Sequence, residues 1–154
     1  MRSLLFAGLV LWGCGAAPPA PDLAADRARP GVAWSPWSAE TFARAKAEGR
    51  YVLVDGVAAW CHWCHVMDAT TYRDPAVVAL LAERFVAIQV DVDARPDIHD
   101  RYAAWGWPAT ILLSPDGQEI GKYKGYLEPA ELLAILRAVK PAAQGPARPG
   151  ADVP

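Results

Sequence analysis

The feature that most constrains this chain is a short string of cysteines and histidines that follows an apolar run. Residues 61–65 read CHWCH, and three residues separate this string from the run YVLVDGV at 51–57. That run is short, apolar and partly β-branched, which predicts a buried strand. The string itself is a C-x-x-C pair, a C-x-x-C-H string of the kind that attaches haem, and a cluster of potential metal ligands. The surrounding elements must decide among these three chemistries.

Helices and strands alternate around the string. Residues 38–50 predict a helix that Ser38 caps and Gly49 ends. Apolar patterns predict further helices at 77–85, 96–106 and 129–140, a strand at 85–93, and a hairpin at 109–126. The order α-β-α-β-α-β-β-α predicts an α/β fold, with a central mixed sheet of about four strands flanked by helices.

Composition and charge argue against several classes of function. Hydrophobic residues make up 53% of the chain and charged residues 21%, which indicates a globular domain rather than a disordered one. The formal net charge is −2, and no block of Lys or Arg stands out. This argues against nucleic acid as a partner. Nothing in the sequence indicates an oligomer, so we expect a monomer.

The N-terminus predicts export and a lipid anchor. Residues 1–13 contain one arginine and an apolar run too short to cross a bilayer as a helix. The string LWGC at 11–14 resembles the lipobox of bacterial lipoproteins, in which the signal is cut before a cysteine that is then lipidated. The resemblance implies that Cys14 anchors the protein to the periplasmic face of the cell envelope. Cys61 and Cys64 then remain as a disulfide pair in an oxidising compartment.

Composition also divides the chain into four segments. Residues 1–13 are the expected signal peptide, and 14–31 are rich in Ala and Pro without an apolar period, which is typical of a tether. The folded domain is expected over 32–140. Residues 141–154 have the composition of a disordered tail.

The order of elements around the cysteine pair resembles the thioredoxin fold. Trp60 gives the motif W-C-x-x-C, and Asp55 lies six residues before Cys61, where thioredoxins keep a buried acid. Trp107 and Pro108 precede the strand TILL, as does the cis-proline loop of that family. Asp74-Pro75 and the segment VDVDARPDI at 90–98 resemble one branch of that family, which includes the C-terminal periplasmic domain of the transmembrane thiol:disulfide interchange protein. The same branch includes the W-C-H-W-C-H domains of the spermatogenesis-associated protein 20 family.

This resemblance implies a protein thiol:disulfide oxidoreductase that needs no cofactor or metal. Cys61 is expected at the first turn of a helix, where free N–H groups and the helix dipole stabilise a thiolate. We therefore expect Cys61 to be the nucleophile, more exposed than Cys64, and Cys64 to resolve the mixed disulfide. Asp55, buried beneath Cys64 with a raised pKa, is expected to take the proton of Cys64.

Other residues near the pair are expected to tune the chemistry or to bind substrate. Protonated His62 adds positive charge beside the first cysteine and favours its thiolate. A cis bond at Pro108 places the preceding backbone beside the sulfurs, where a strand of a protein substrate can pair. Trp60, Trp63 and Trp107 are expected to frame an apolar docking groove. The branch resemblance also implies a membrane partner that supplies electrons.

A haem- or copper-binding delivery protein on a thioredoxin-like scaffold is the alternative. His65 would be an axial haem ligand, and Met67 lies too near to be the second one, which leaves His99. The potential ligands within 61–65 lie too close together for a tetrahedral metal site without a further pair elsewhere. The aspartates between 91 and 100 lack the glycine and terminal glutamate of an EF-hand loop.

Overall fold

The structure is a computed structural model that describes residues 31–140. The expected signal peptide, the expected tether up to residue 30, the expected lipidation site Cys14 and the expected tail from residue 141 lie outside the described residues. Within 31–140, no helix is long and apolar enough to cross a membrane.

Five helices surround a four-stranded mixed sheet, which confirms the predicted fold class. The helices are α1 (Ala39–Glu48), α2 (His62–Ala69), α3 (Pro75–Arg84), α4 (Pro96–Tyr102) and α5 (Pro129–Ala138). The strands are β1 (Tyr51–Val57), β2 (Phe85–Asp91), β3 (Ala109–Leu113) and β4 (Glu119–Lys124). The sheet order is β2-β1-β3-β4, with β1 parallel to β2 and antiparallel to β3, and β3 antiparallel to β4.

Local signals set the ends of the helices. The side chain of Ser38 accepts a hydrogen bond from the N–H of Thr41 at 3.2 Å, and Gly49 ends α1 with φ 62°. Such a positive φ favours glycine. Asp74 caps α3 in the same way, its carboxylate accepting from two backbone N–H groups of that helix. Pro75 occupies the first helical position, where its missing N–H costs nothing.

The structure corrects two details of the predicted element order. Two helices rather than one lie between β1 and β2, because α2 ends at Ala69 and a 3-10 turn, Thr71–Arg73, precedes α3. Asp74 is extended (φ −64°, ψ 125°), as expected for the residue before a proline, so one helix cannot run through. The helix predicted at 96–106 is α-helical only to Tyr102 and continues as a 3-10 turn, Ala103–Trp105.

Because side chains alternate across a strand, the sheet has two faces of different composition. We call one the apolar face; α1 and α4 cover it, and its residues are Val52, Val54, Val86, Ile88, Val90, Ala109, Ile111 and Leu113. We call the other the disulfide face; α2, α3 and α5 cover it, and its residues are Leu53, Asp55, Phe85, Ala87, Gln89, Thr110 and Leu112. On β1, β2 and β3 the disulfide face contains three polar residues and the apolar face contains none, whereas β4 adds Lys122 and Lys124 beside Ile111 and Ala109 of the apolar face.

Candidate active site

The cysteine pair lies just after β1, at the start of α2. Cys61 is the N-cap of α2, and it forms a disulfide with Cys64, with 5.3 Å between the two Cα atoms. The Sγ of Cys61 accepts a hydrogen bond from the backbone N–H of Cys64 at 3.2 Å. In the reduced protein, this N–H and the positive end of the helix dipole stabilise negative charge on Cys61.

Both cysteines are buried, so the expectation that Cys61 is more exposed is wrong. Cys61 is 4% exposed and Cys64 is 5% exposed. Both belong to a small buried cluster with Ala58 and Val92, against which the ring of Trp107 packs. Because this cluster covers both residues, position at the helix N-terminus distinguishes the two sulfurs, and exposure does not.

Asp55 is a buried acid on the disulfide face. It is 2% exposed, and this burial raises the pKa of its carboxyl to about 7. The Nε2 of Gln89, its neighbour on β2, donates to Oδ2 at 3.2 Å and opposes that rise in pKa. A carboxyl group with a pKa near neutrality is suited to accept and return a proton at physiological pH.

The loop before β3 brings Trp107 and Pro108 to the same end of the sheet. The Trp107–Pro108 peptide bond is cis, and the carbonyl of Pro108 accepts from the N–H of Gly125 at 2.8 Å. The ring of Trp107 lies over Gly56 of β1, where a β-carbon would be only 2.6 Å from Cζ3 of that ring. Glycine at position 56 therefore permits the close approach of Trp107.

Trp60 and Trp63 are exposed on either side of the first cysteine. Trp60 is 66% exposed and Trp63 is 55% exposed. The Nε1 of Trp60 donates to the carboxylate of Asp93 at 2.9 Å, which fixes one indole. The ring of Trp63 lies 5.7 Å from that of Tyr126 and 5.4 Å from that of His62. These indoles offer apolar surface to a partner, whereas Trp107 is half-buried against the disulfide.

His65 contacts the backbone rather than another potential metal ligand. The Nε2 of His65 lies 2.9 Å from the carbonyl oxygen of Ala59. A carbonyl only accepts, so this nitrogen carries a proton and is not free to bind iron. His99 lies elsewhere, with Nδ1 3.2 Å from the carboxylate of Asp100. Among residues 31–140, no group of three or more His, Cys, Asp or Glu side chains is placed to hold a metal ion.

Sequence reasoning missed four residues that contribute to the site: Tyr72, Gln89, Asp93 and Thr110. Gln89 and Thr110 interrupt otherwise apolar strands, in IQV and ATI, and this interruption was the available signal. Both are strand neighbours of Asp55 in the observed register. No local pattern marks Tyr72, because its position depends on the turn between α2 and α3.

Comparison with known proteins identifies a matching family and several similar proteins. The family described as "Thioredox_DsbH: Protein of unknown function, DUF255" matches residues 20–140. Spermatogenesis-associated protein 20 of Rattus norvegicus is 32% identical over 121 residues, which cover 66% of this chain and 15% of that protein. Thiol:disulfide interchange protein DsbD 2 of Pseudomonas aeruginosa is 38% identical over 80 residues, which cover 50% of this chain and 14% of that protein.

Some of these relatives are far longer than the chain, whereas a solved structure matches it in size. The first four curated relatives are each spanned by this chain over only 12% to 15% of their length. The solution structure of a thioredoxin from Thermus thermophilus is 34% identical, with a TM-score of 0.63. That match covers 71% of this chain and 87% of the thioredoxin.

Proposed function

The chain belongs to the Thioredox_DsbH (DUF255) family and has a thioredoxin-type domain, and on that basis we propose a membrane-anchored thiol:disulfide oxidoreductase. One observation carries the proposal: Cys61 and Cys64 form a disulfide at the N-terminus of α2. Thioredoxin-type relatives and this cysteine pair together point to protein-disulfide oxidoreductase activity.

The proposed reaction is two successive thiol–disulfide exchanges. In the reduced protein, the thiolate of Cys61 attacks a substrate disulfide, forming a mixed disulfide and releasing one substrate thiolate. The thiolate of Cys64 then attacks the Sγ of Cys61 and releases the second substrate thiolate. Two electrons pass to the substrate, and the protein is left with the Cys61–Cys64 disulfide.

Asp55 is proposed to manage the proton of Cys64. The second exchange requires Cys64 as a thiolate, so its proton must leave before or during the attack. With a pKa of about 7, the carboxylate of Asp55 accepts that proton at neutral pH and later returns it. His62 is proposed to favour the thiolate of Cys61 when its ring is protonated.

The proposed substrate is an extended segment of another protein that contains a disulfide. The exposed indoles of Trp60 and Trp63 are proposed to provide apolar contacts, and the backbone before Pro108 is proposed to pair with the substrate segment. A partner that returns electrons is proposed to reside in the membrane, as the resemblance to the transmembrane thiol:disulfide interchange branch implies, and one relative is named a thiol:disulfide interchange protein. The lipobox-like string ending in Cys14 supports a lipid anchor facing the periplasm.

The equilibrium reduction potential of the cysteine pair tests the enzymatic proposal. We expect a reversible two-electron couple in glutathione buffers, with a reduction potential of about −270 mV if the protein is a reductase. A reduction potential of about −120 to −180 mV would assign it to the oxidases and isomerases instead. The absence of any reversible couple would exclude an oxidoreductase.

A trapping experiment tests the roles of the two sulfurs. Cys64→Ala leaves the proposed nucleophile without its resolving partner, so mixed disulfides with protein substrates should accumulate and dissolve on addition of dithiothreitol. Cys61→Ala is the matched control and should trap none. Equal trapping by both variants would contradict the assignment of Cys61 as the nucleophile.

Lipidation of Cys14 requires a separate test. Expression of the full chain with labelled palmitate should label the wild-type protein, whereas Cys14→Ser should remain unlabelled and leave the membrane fraction. Label on the Cys14→Ser variant, or none on either protein, would reject the anchor without affecting the redox proposal.

A further inference from the structure

A row of polar residues crosses the disulfide face at one level of the sheet. Asp55 of β1 pairs with Gln89 of β2 on one side and with Thr110 of β3 on the other. Residues paired across neighbouring strands project to the same face. Two members of the row are buried, Asp55 at 2% exposed and Thr110 completely, while Gln89 is half-buried.

Tyr72 is buried against this same face. It is 1% exposed and packs in one apolar cluster with Leu53 and Leu112. Leu53 lies two residues before Asp55 and Leu112 two residues after Thr110, so both leucines share the face of the polar row. Tyr72, in the turn that follows α2, is therefore buried on the same side of the sheet as the polar row.

Three buried oxygen atoms in this region make no hydrogen bond to any other described residue. They are the Oδ1 of Asp55, the Oη of Tyr72 and the Oγ1 of Thr110. Buried polar atoms nearly always have a partner, and their exceptions often mark functional sites. One of the three is a carboxylate oxygen and two belong to hydroxyl groups, so together they form a complementary set.

Contacts with Val32 and Trp34, near the first of the described residues, hold Tyr72 in place. The ring of Trp34 meets that of Tyr72 edge to face, with 4.7 Å between centroids. The backbone N–H of Val32 donates to the carbonyl of Tyr72 at 3.1 Å. These contacts hold the ring and backbone of Tyr72 in place and do not depend on the charge of Asp55.

We propose that Tyr72 is a positioning residue that donates a hydrogen bond to the ionised carboxylate of Asp55. This proposal rests on the proposed function, because it assigns Asp55 as the group that accepts the proton of Cys64. In the step, the proton passes from the Sγ of Cys64 to the carboxylate, while Tyr72 keeps its own proton throughout. The bond favours the charged form of Asp55 and so keeps it competent as a base at neutral pH.

The electrostatics of the face agree with this assignment. Burial, and then the charge of Asp55, raise the pKa of Tyr72 well above its ordinary value, so its hydroxyl remains a donor. Tyr72 in turn lowers the pKa of Asp55, as Gln89 does, against the larger effect of burial. The charge of Asp68 on α2 acts in the opposite direction and raises the pKa of Asp55; its own partner is Arg73, at 4.0 Å.

The direct test is the pKa of Asp55, measured by carboxyl ¹³C NMR on the full chain in its disulfide form. Tyr72→Phe removes only the hydroxyl and should raise that pKa by about one pH unit. Tyr102→Phe is the matched control, because Tyr102 is equally buried but donates to Glu119 beneath the apolar face. It should leave the titration of Asp55 unchanged.

Two outcomes would overturn the proposal. If Tyr72→Phe lowers the free energy of unfolding but leaves the titration of Asp55 unchanged, Tyr72 has only a packing role. If Thr110→Val raises the pKa of Asp55 and Tyr72→Phe does not, the donor is Thr110. The titration needs no turnover, so it decides the role of Tyr72 even if Cys61 and Cys64 show no reversible couple, a result that would reject only the proposed function.

Discussion

The two faces of the sheet are made by neighbouring residues of the same strands, yet they differ in chemistry. On β3, Thr110 faces Asp55 in the polar row, whereas Ile111 lies in an unbroken apolar cluster. Burial on the apolar face removes hydrocarbon from water and stabilises the fold. Burial on the disulfide face also desolvates a carboxyl group, which weakens the fold.

The two faces therefore contribute differently to the stability of the protein. Buried hydrocarbon on the apolar face supplies stability that does not depend on pH, while the disulfide face holds a buried titratable group whose cost depends on pH. A buried acid is retained where its shifted pKa serves chemistry, and that acid lies on the face that α2 and its cysteines cover. The substitutions below test this contrast between the faces.

The largest effect is expected from Asp55→Asn. The pKa of Asp55 is about 7 in the fold and about 3.9 in an unfolded chain. Between these two pH values Asp55 is protonated in the native state and ionised in the unfolded state, so the free energy of unfolding falls as pH rises. Above pH 7 the carboxyl is ionised in both states, and the full cost of burying its charge is present. A shift of about three pH units corresponds to about 4 kcal/mol. Asp55→Asn should therefore stabilise the protein by up to about 4 kcal/mol at pH 8 and little at pH 4.

Urea unfolding at both pH values measures this effect. Asp116→Asn is the control, because Asp116 is an exposed turn residue paired with Lys46 at 3.4 Å. It should change the free energy of unfolding little at either pH. An equal effect of Asp55→Asn at pH 4 and pH 8 would show that Asp55 carries no buried charge.

A hydroxyl group placed on the apolar face should have the next largest effect. Ile111→Thr introduces an unpartnered hydroxyl among buried hydrocarbon and should cost about 3 kcal/mol. Ile111→Val has nearly the same shape as the threonine and should cost about 1 kcal/mol. Both costs should be the same at pH 5 and pH 8 in chemical unfolding. If the two variants cost the same, the apolar face tolerates polar groups and the contrast between the faces fails.

Gly56→Ala tests the contact between the apolar face and the cis-proline loop. The new β-carbon would meet the ring of Trp107 at 2.6 Å, and overpacking of this kind should cost about 2 kcal/mol. Adding Trp107→Leu should recover part of that loss, which a double-mutant cycle of thermal unfolding measures. Additive costs would show that the ring of Trp107 is not what excludes a side chain at Gly56.

The smallest effect is expected from Thr110→Val on the disulfide face. This change removes a buried hydroxyl that has no hydrogen-bond partner among the described residues, and it keeps the shape of the side chain. The free energy of unfolding should change by less than about 1 kcal/mol. A loss as large as that of Ile111→Thr would mean that the hydroxyl of Thr110 is firmly bonded in the native protein.

Much of the fold could be predicted because its signals are local. Ser38 and Gly49 mark the ends of α1, and the alternation of apolar residues identifies β1, β2 and the β3–β4 hairpin. The family resemblance predicts a buried acid six residues before Cys61, and the burial of Asp55 agrees with that prediction. None of these inferences required knowledge of which strands are neighbours.

The rest of the site depends on contacts between distant parts of the chain. Thr110 faces Asp55 only because β1 and β3 pair in one register, and a slip by one residue would turn it to the other face. The bond from Trp60 to Asp93 likewise joins separate loops. The low exposure of Cys61 comes from Val92 and Trp107, which lie far along the chain. A pattern read along the sequence contains no information about such pairs.

The central position of β1 has a consequence for how the chain folds as it emerges. Both strands that pair with β1, first β2 and then β3, are synthesised after it. β1 therefore has no strand to pair with until they have been made. During that interval Asp55 is hydrated and has the acidity of any unfolded carboxyl group. Cys61 and Cys64, only three positions apart, are open to any oxidant that the chain meets first. The redox conditions of the compartment in which the chain folds therefore determine when the Cys61–Cys64 disulfide first forms.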